Sequence, residues 1–423
     1  MRKLIALGIV VVLLAAACGS DDNDDTGSAS STAETSDSAD ADASSDTDGT
    51  DEPASSDSDA PASDGGTLTS TVAAGWTALG IGEGTKPALA LDGNGDPAIA
   101  FLFEDIPEGF VAFASAADNW AVDSLTEGYF YGPIGLAFDP SGRPNIAYHD
   151  HQASSFDQHL GDLTHAVRDG ADWQVEAAES EGHDGWDSTI AIGADGVVRA
   201  AGVDPSQFNR QNGVEYYELI DGEWVVEEIG SGPTEYEWNV DLQVADDGTV
   251  GMTYFATVEQ DLIFASRPPG GTWSLETVVS EGNVGRFSSF IFDADGAAHI
   301  SYWNEFTGQV EYATNSSGTW ETSSIGGLDS VVEGFEGARR ITSLALDADG
   351  GVVVAYSDTS GVWLARQTAD GAWESEQVVT AGSLPLGQLV TLAVDSANVP
   401  HLSYFEVTGN GPLTGEVVYV TTG

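Results

Sequence analysis

Cysteine is almost missing from this chain: Cys18 is the one cysteine in 423 residues. No internal disulfide can form, so the folded part must rest on packing and hydrogen bonds. Cationic residues are nearly as scarce. Twelve Lys and Arg stand against 69 Asp and Glu, a formal charge of −57, and the only lysines are Lys3 and Lys86. That balance excludes ordinary nucleic-acid binding, which needs a basic surface to displace counterions. It also predicts repulsion of anionic polymers and a preference for cations. Long apolar runs are absent too. The run from Leu4 to Ala17 is only fourteen residues, whereas a membrane-spanning helix needs about 20. There is no phosphate-binding glycine loop, serine–histidine triad or paired-cysteine metal motif, which removes the enzyme classes that carry them.

What is present begins with a basic head, Met1-Arg2-Lys3, in front of that short apolar run. The pair suits a secretory signal. The run ends at Ala15-Ala16-Ala17-Cys18, which resembles the lipobox of bacterial lipoproteins, with Leu14 four places before the cysteine instead of the usual three. The resemblance implies a lipidated Cys18 as mature N-terminus, export, and a membrane lipid anchor on the extracytoplasmic face. Residues 19–66 contain no Leu, Ile, Val, Met or aromatic residue. Such a segment cannot offset the entropy of ordering, which predicts a disordered Asp/Ser-rich linker. As a flexible coil it would span on the order of 35–40 Å. Three parts follow: a signal peptide over 1–18, a linker over 19–66, and a folded part over 67–423.

The folded part repeats itself. Ser288 to Ile325 holds four short apolar runs separated by turns, a sheet too small to bury both faces alone. Its turn, Asp293 to Gly296, recurs at Asp92–Gly95, Asp139–Gly142, Gly193–Gly196, Ala245–Gly248, Asp347–Gly350 and Asp395–Asn398, seven copies in all. Asp at the first corner, Pro140 at the second and Gly at the fourth are type I turn preferences. Six residues past each turn stand Phe101, Tyr148, Gly202, Tyr254, Tyr302, Tyr356 and Tyr404. Trp76, Trp120, Trp173, Trp224, Trp273, Trp320 and Trp373 form a second series. Trp76 precedes the first turn, while the seventh unit ends without a tryptophan strand. The strand at Trp76 to Ile81 is therefore expected to complete the last unit. The predicted fold is all-β, a seven-bladed β-propeller closed by an N-terminal outer strand. The two aromatic series read as core.

The phrases SLALDADG, AHISYWN and VEYATNSSGTW resemble the repeats of bacterial propellers grouped with sialidase-like or BNR-repeat proteins. The resemblance implies architecture over 67–423 and little about activity. It departs from the Asp-box pattern, since Asp370-Gly371-Ala372-Trp373 and Asp221-Gly222-Glu223-Trp224 lack the spacer between Asp and Gly. Sialidases have six blades. On the resemblance alone, Arg286, Arg339 and Arg340 would hold a carboxylate sugar, with Tyr236 as nucleophile and Glu235 or Glu237 as its base.

Candidate chemistry falls on the face opposite the Asp-led turns, the face on which propellers commonly carry ligands. Eight places after each turn stand Phe103, Asp150, Asp204, Ala256, Asn304, Asp358 and Glu406. Four carboxylates and an amide at one register position are expected to ring the channel mouth, where they could bind a cation or sugar hydroxyls or do acid–base work. Ten places before the turn end stand Trp186, Trp238, Arg286 and Arg340, and Trp303 follows Tyr302 on the same rim, with Tyr129, Tyr131 and Tyr236 nearby. Exposed aromatics beside carboxylates suit stacking on a sugar face. His149, His151 and His159 form the histidine-dense loop, a weak metal candidate. Asp92-x-Asn94-x-Asp96 resembles the start of a calcium loop without its later glutamate, so no cofactor is expected. The sequence reading is a monomeric, membrane-anchored propeller that binds a glycan or a surface partner. The alternatives are a glycoside hydrolase or lyase using the same carboxylates, and a structural spacer without a ligand.

Overall fold

The Asp-led turns decide where the chain reverses. In each of the seven, the N–H of the fourth residue donates to the carbonyl of the first at 2.8–3.0 Å. The fourth residue then takes a left-handed conformation, from φ 64° at Asn398 to 87° at Gly95. Glycine is the residue that does this at no steric cost, and Asn tolerates it, so the turn dictates its own sequence. Five turns begin with Asp, whose Oδ1 accepts from the N–H groups two and four places on. Asp293, for instance, takes Asp295 at 2.9 Å and Ala297 at 2.8 Å. Where the turn starts with Gly193 or Ala245, Asp195 and Asp247 accept from Val197 and Thr249 instead. At Asp139, bonds from Ser141 and Arg143 outweigh the opposing effect of burial and hold the carboxyl down at about 2.

The structure is a computed structural model that describes residues 68–103, 109–128, 130–150, 161–178, 185–204, 213–231, 240–256, 258–328, 340–383, 386–408 and 415–423. Two strands come first, β1 (Thr71–Val72) and β2 (Thr77–Glu83). Blade 1 is β3 (Thr85–Leu91), β4 (Pro97–Phe103), β5 (Gly109–Ser115) and β6 (Asp123–Gly128). Blade 2 is β7 (Phe130–Phe138), β8 (Pro144–Asp150), β9 (Asp162–Asp169) and β10 (Asp172–Ala177). Blade 3 is β11 (Trp186–Ile192), β12 (Val198–Asp204), β13 (Gly213–Ile220) and β14 (Glu223–Ser231). Blade 4 is β15 (Val240–Val244), β16 (Val250–Ala256), β17 (Asp261–Arg267) and β18 (Ser274–Val279). Blade 5 is β19 (Val284–Phe292), β20 (Ala298–Asn304), β21 (Gln309–Thr314) and β22 (Glu321–Gly327). Blade 6 is β23 (Thr342–Leu346), β24 (Val352–Asp358), β25 (Gly361–Gln367) and β26 (Trp373–Thr380). Blade 7 takes β27 (Leu386–Val394), β28 (Pro400–Val407) and β29 (Gly415–Thr421) from the C-terminus.

Its fourth strand is β2, which pairs antiparallel with β29 from Thr77↔Thr421 to Glu83↔Glu416. The expected closure by an N-terminal outer strand is thus observed. The first strands of successive blades touch in sequence, and β27 returns to β3, so the ring is complete. One feature lay outside the sequence reading: β1 adds a fifth strand to blade 6 through Thr71↔Thr380 and Val72↔Val379. Glu406 fixes this strap, accepting from the N–H of Thr69 at 2.6 Å, its hydroxyl at 2.8 Å and the N–H of Ser70 at 3.0 Å.

Neighbouring blades are sewn together near the axis and again at the rim. Near the axis, a polar residue seven places before the turn end accepts an N–H from the next blade. Asp241 takes Phe290 at 2.8 Å, Ser289 takes Leu344 at 3.1 Å, and Ser343 takes Leu392 at 3.0 Å. Between blades 2 and 3 the same position is Gly135, where a Cβ would stand 2.7 Å from the Ile190 nitrogen. At the rim, each outer tryptophan leans on the blade before it. Trp173, Trp224, Trp273 and Trp320 donate their indole N–H to Asp123, Glu176, Glu227 and Glu276 at 2.9–3.2 Å, and Trp373 donates to Ser323. Each ring also meets a third-strand ring edge-on, as Trp320 meets Phe264 at 5.4 Å. Trp120 of blade 1 packs on Tyr419 of blade 7, at 4.7 Å, so the pattern crosses the closure.

The six aromatics that follow the turns are buried core. The outer tryptophans differ from that expectation. Trp76 is buried, but Trp120, Trp173, Trp224, Trp273, Trp320 and Trp373 are only half-buried, because the outer strand has solvent on one face and the indole edge must reach the neighbouring carboxylate. Trp320→Ala should therefore cost about 2–4 kcal/mol, through lost ring contact and an orphaned Glu276. Removing residues 67–82 should lower the melting temperature far more than removing 19–66, since only the first deletion opens blade 7. Equal melting temperatures would show that β2 does not close the ring.

Candidate functional site

The second strands climb away from the Asp-led turns, so their last residues sit at the opposite, upper face. Asp150, Asp204, Asn304, Asp358 and Glu406 all lie at or next to those ends. They do not form a ring of free carboxylates. A register position fixes height along the axis, but the second strand stands one strand away from the centre. Asn304 is buried, donates to Glu311 Oε1 at 3.0 Å and accepts from the Thr307 N–H at 3.1 Å. Asp358 is buried and accepts from the N–H groups of Ser360 and Gly361 at 2.8 and 3.0 Å. Glu406 holds the N-terminal strap. Asp150 stays partly open, and burial, then the facing charge of Asp162, pushes its carboxyl up to about 6. The side chain of Asp204 lies outside the described residues.

The aromatic candidates also separate. Trp303 is only 7 % exposed and stacks on Phe287, with ring centres 6.0 Å apart. That corrects its reading as a rim platform: Phe287 and Ile341 enclose it. Trp186 is half-buried and packs on His149, 5.2 Å away. Trp238, Tyr129 and Tyr236 lie outside the described residues, as does the side chain of Tyr131. His149 is fully buried above Gly161, where any Cβ would collide with its ring. His151 and His159 lie outside the described residues, and among the described ones no group of three ligating side chains could hold a metal ion. Arg286 and Arg340 do not act together. Arg286 pairs with Glu305 at 3.0 Å and lies over the Phe255 ring, while Arg340 faces inward to two acids. Arg339, Glu235 and Glu237 are not among the described residues.

Those two acids are the groups that sequence reasoning missed. The upper ends of the inner strands carry bulges, with register shifts between Thr85 and Ala88, Trp186 and Thr189, and Arg286 and Ser289. At each bulge, nine places before the turn end, one residue is left-handed: Lys86 at φ 53°, Asp187 at 55° and Phe287 at 55°. Such a conformation costs a side-chain-bearing residue on the order of 1 kcal/mol or more, so it is usually kept for a reason. Asp187 is 2 % exposed and Lys86 4 %. Burial, reinforced by the charge of Asp241, pushes Asp187 up to about 8 against the charge of Arg340, a bond from the Val240 N–H and the charge of Lys86. One oxygen of Asp187, Oδ2, has no hydrogen-bond partner among the described residues. Burial also raises Asp241, although Arg340 and the N–H groups of Phe290 and Leu242 counter it. Two acids and two cations from four blades thus act on one another, with Asp187 and Lys86 buried and Asp241 and Arg340 half-buried. A sequence signal existed: Lys86 is the single lysine of the folded part, and Asp241 is the one charged residue at a position held elsewhere by Ala88, Gly135, Thr189, Ser289, Ser343 and Thr391.

A carboxyl held above its ordinary value keeps a proton that the unfolded chain gives up, so folding loses stability as pH rises from the ordinary carboxyl range toward about 8. The loss is at most about 1.4 kcal/mol per pH unit. Asp187→Asn should flatten this dependence and raise the melting temperature at pH 8 relative to the unsubstituted chain. Parallel stability–pH curves for the two proteins would refute the assignment.

No protein-family profile matches this chain, and no curated protein matches its sequence. Solved structures do match in fold. A polysaccharide lyase, an ulvan lyase, superposes with TM-score 0.51 at 11 % identity, over 81 % of this chain and 95 % of that one. AofleA from Arthrobotrys oligospora gives 0.47 at 11 %, over 68 % and 83 %. The α-L-arabinofuranosidase of Fusarium graminearum gives 0.45 at 11 %, over 69 % and 92 %. At such identities the likeness is one of fold, an all-β propeller.

Proposed function

We propose that this protein is an exported, lipid-anchored binding propeller that takes a polar ligand, a glycan first of all, on its upper face at the mouth of the central channel. The observation that carries the reading is the set Lys86, Asp187, Asp241 and Arg340. A fold stabilised by apolar packing does not require a left-handed buried lysine beside a left-handed buried aspartate with an unused oxygen. Fixed donors and acceptors in a dry recess are what recognition of hydroxyl-rich ligands uses. The ulvan lyase of similar fold acts on a polysaccharide, which agrees with this reading and adds little weight at 11 % identity.

One observation favours a second reading. Asp187 and Asp241 are two interacting carboxyls that burial raises, Asp187 to about 8, an arrangement suited to acid–base cleavage of a glycan. Screening residues 67–423 on a glycan array, with assay of new reducing or unsaturated ends, separates the two. Binding without cleavage is expected, weakened at least tenfold by Lys86→Met and by Asp187→Asn. Binding that both variants leave intact would remove the axial set from the site. The anchor has its own test: Cys18→Ser should leave the protein unprocessed or release it from the membrane fraction, and unchanged processing and partitioning would refute lipidation.

A further inference from the structure

The most exposed large apolar side chains of the described residues are Phe306, at 80 %, and Val258, at 67 %. They are structural equivalents. Each sits ten places past the glycine that ends the turn between its blade's first two strands, on neighbouring blades. Each is the central residue of a five-residue turn in which the last N–H returns to the first carbonyl: Gln260 to Ala256 at 2.7 Å, Gly308 to Asn304 at 2.8 Å. The loop that leads into blade 5 ties the two turns together. Val284 N–H donates to the Gln260 carbonyl at 3.2 Å, and Glu305 N–H donates to the Asn283 carbonyl at 3.1 Å. Gly282 lies against the stem of Phe306, so close that a Cβ there would stand 3.0 Å from the Phe306 Cβ. The result is a knitted ledge on the upper face, and its apolar side chains are held outward by the backbone.

Planar polar groups flank Phe306 in the chain and on the Gly282–Asn283 segment packed against its stem. Glu305 Oε2 receives Arg286 Nη1 at 3.0 Å and also the Asn283 amide. The turn itself does not need a phenyl ring, because its bonds are made by backbone and by Asn304. A flat apolar face beside an amide and a carboxylate is complementary to a sugar ring, whose C–H face stacks while its hydroxyls bond at the edge. Two apolar side chains are far too few for a protein interface, which covers about 800 Å² on each partner. The charge of Arg286 is taken up by Glu305, and the chain as a whole carries −57. An anionic sugar would be repelled from such a surface.

We infer that Phe306, with Glu305 and Asn283 at its edge and Val258 beside it, is a stacking subsite for an uncharged sugar ring. This rests on the glycan reading above and specifies its ligand: a neutral saccharide, stacked on the turns of blades 4 and 5.

The test uses the full chain and panels of neutral hexose and pentose oligosaccharides, with uronic-acid oligomers as the acidic comparison. Neutral oligomers should bind. Phe306→Ala should weaken them about tenfold or more with the melting temperature unchanged, as befits an exposed side chain, and Phe306→Trp should retain binding with an emission shift on saturation. The ledge is refuted if Phe306→Ala binds neutral oligomers as the unsubstituted chain does, or if only acidic oligomers bind. If Asp187→Asn abolishes binding while Phe306→Ala leaves it intact, the ledge fails and the axial site stands. If no oligosaccharide of either kind binds, both fail.

Discussion

Seven sheets close into a ring only if their inner strands converge, and convergence is the constraint on which everything else here depends. Where strands crowd toward an axis, side chains shrink, and the apolar clusters that join neighbouring blades still leave backbone donors there to be satisfied. The chain answers with side-chain-to-backbone hydrogen bonds at Asp241, Ser289 and Ser343, each aimed at an N–H of the following blade. Such bonds saturate backbone donors that would otherwise be buried unpaired, a loss of about 1–3 kcal/mol each. At the junction of blades 2 and 3 the crowding is relieved by Gly135 instead.

The rim meets the opposite problem. Blades splay outward, so the gap between them widens and needs a large group. Tryptophan fills it, and its indole N–H finds an acceptor on the blade before. That geometry explains why these tryptophans are half-buried: a ring that bridges two sheets near solvent cannot belong wholly to either core. The acceptors Asp123, Glu176, Glu227 and Glu276 all fall three places after the preceding tryptophan, so part of the abundant negative charge is structural. The arginines serve similarly. Arg199 and Arg267 converge on Glu218, and Arg267 also lies 4.6 Å over the Tyr216 ring, locking blades 3 and 4 below.

Much of this architecture was legible in the sequence because turns and outer tryptophans obey local rules at fixed spacing. Asp-led turns with a left-handed fourth residue advertise themselves, and the missing seventh tryptophan strand located the closure. The site was less legible, for two physical reasons. Offset from a turn gives height but not distance from the axis, so Asn304, Asp358 and Glu406 looked convergent when they are spent on local backbone. Burial of a rim aromatic likewise depends on a neighbouring blade, as Phe287 covers Trp303, and no single repeat contains that information. The bulges were hidden altogether. A one-residue insertion that rotates Lys86 and Asp187 toward the centre leaves no composition mark beyond a rare lysine.

Bulge, charge and closure then bear on one another. A left-handed residue at the head of an inner strand turns its side chain out of the sheet's alternation and toward the shared interior, which the packed strand below could not allow. Lys86 and Asp187 join the set from such positions in blades 1 and 3, while Asp241 and Arg340 join it from blades 4 and 6 without a left-handed residue. The cost of burying them is visible in Asp187, whose proton is held far above the ordinary carboxyl range although two cations face it. Desolvation therefore outweighs the ion pairing at Asp187. Left-handed backbone at Lys86 and Asp187, a carboxyl held against ionisation, and an Asp187 oxygen with no hydrogen-bond partner among the described residues are what the ligand proposed above would account for.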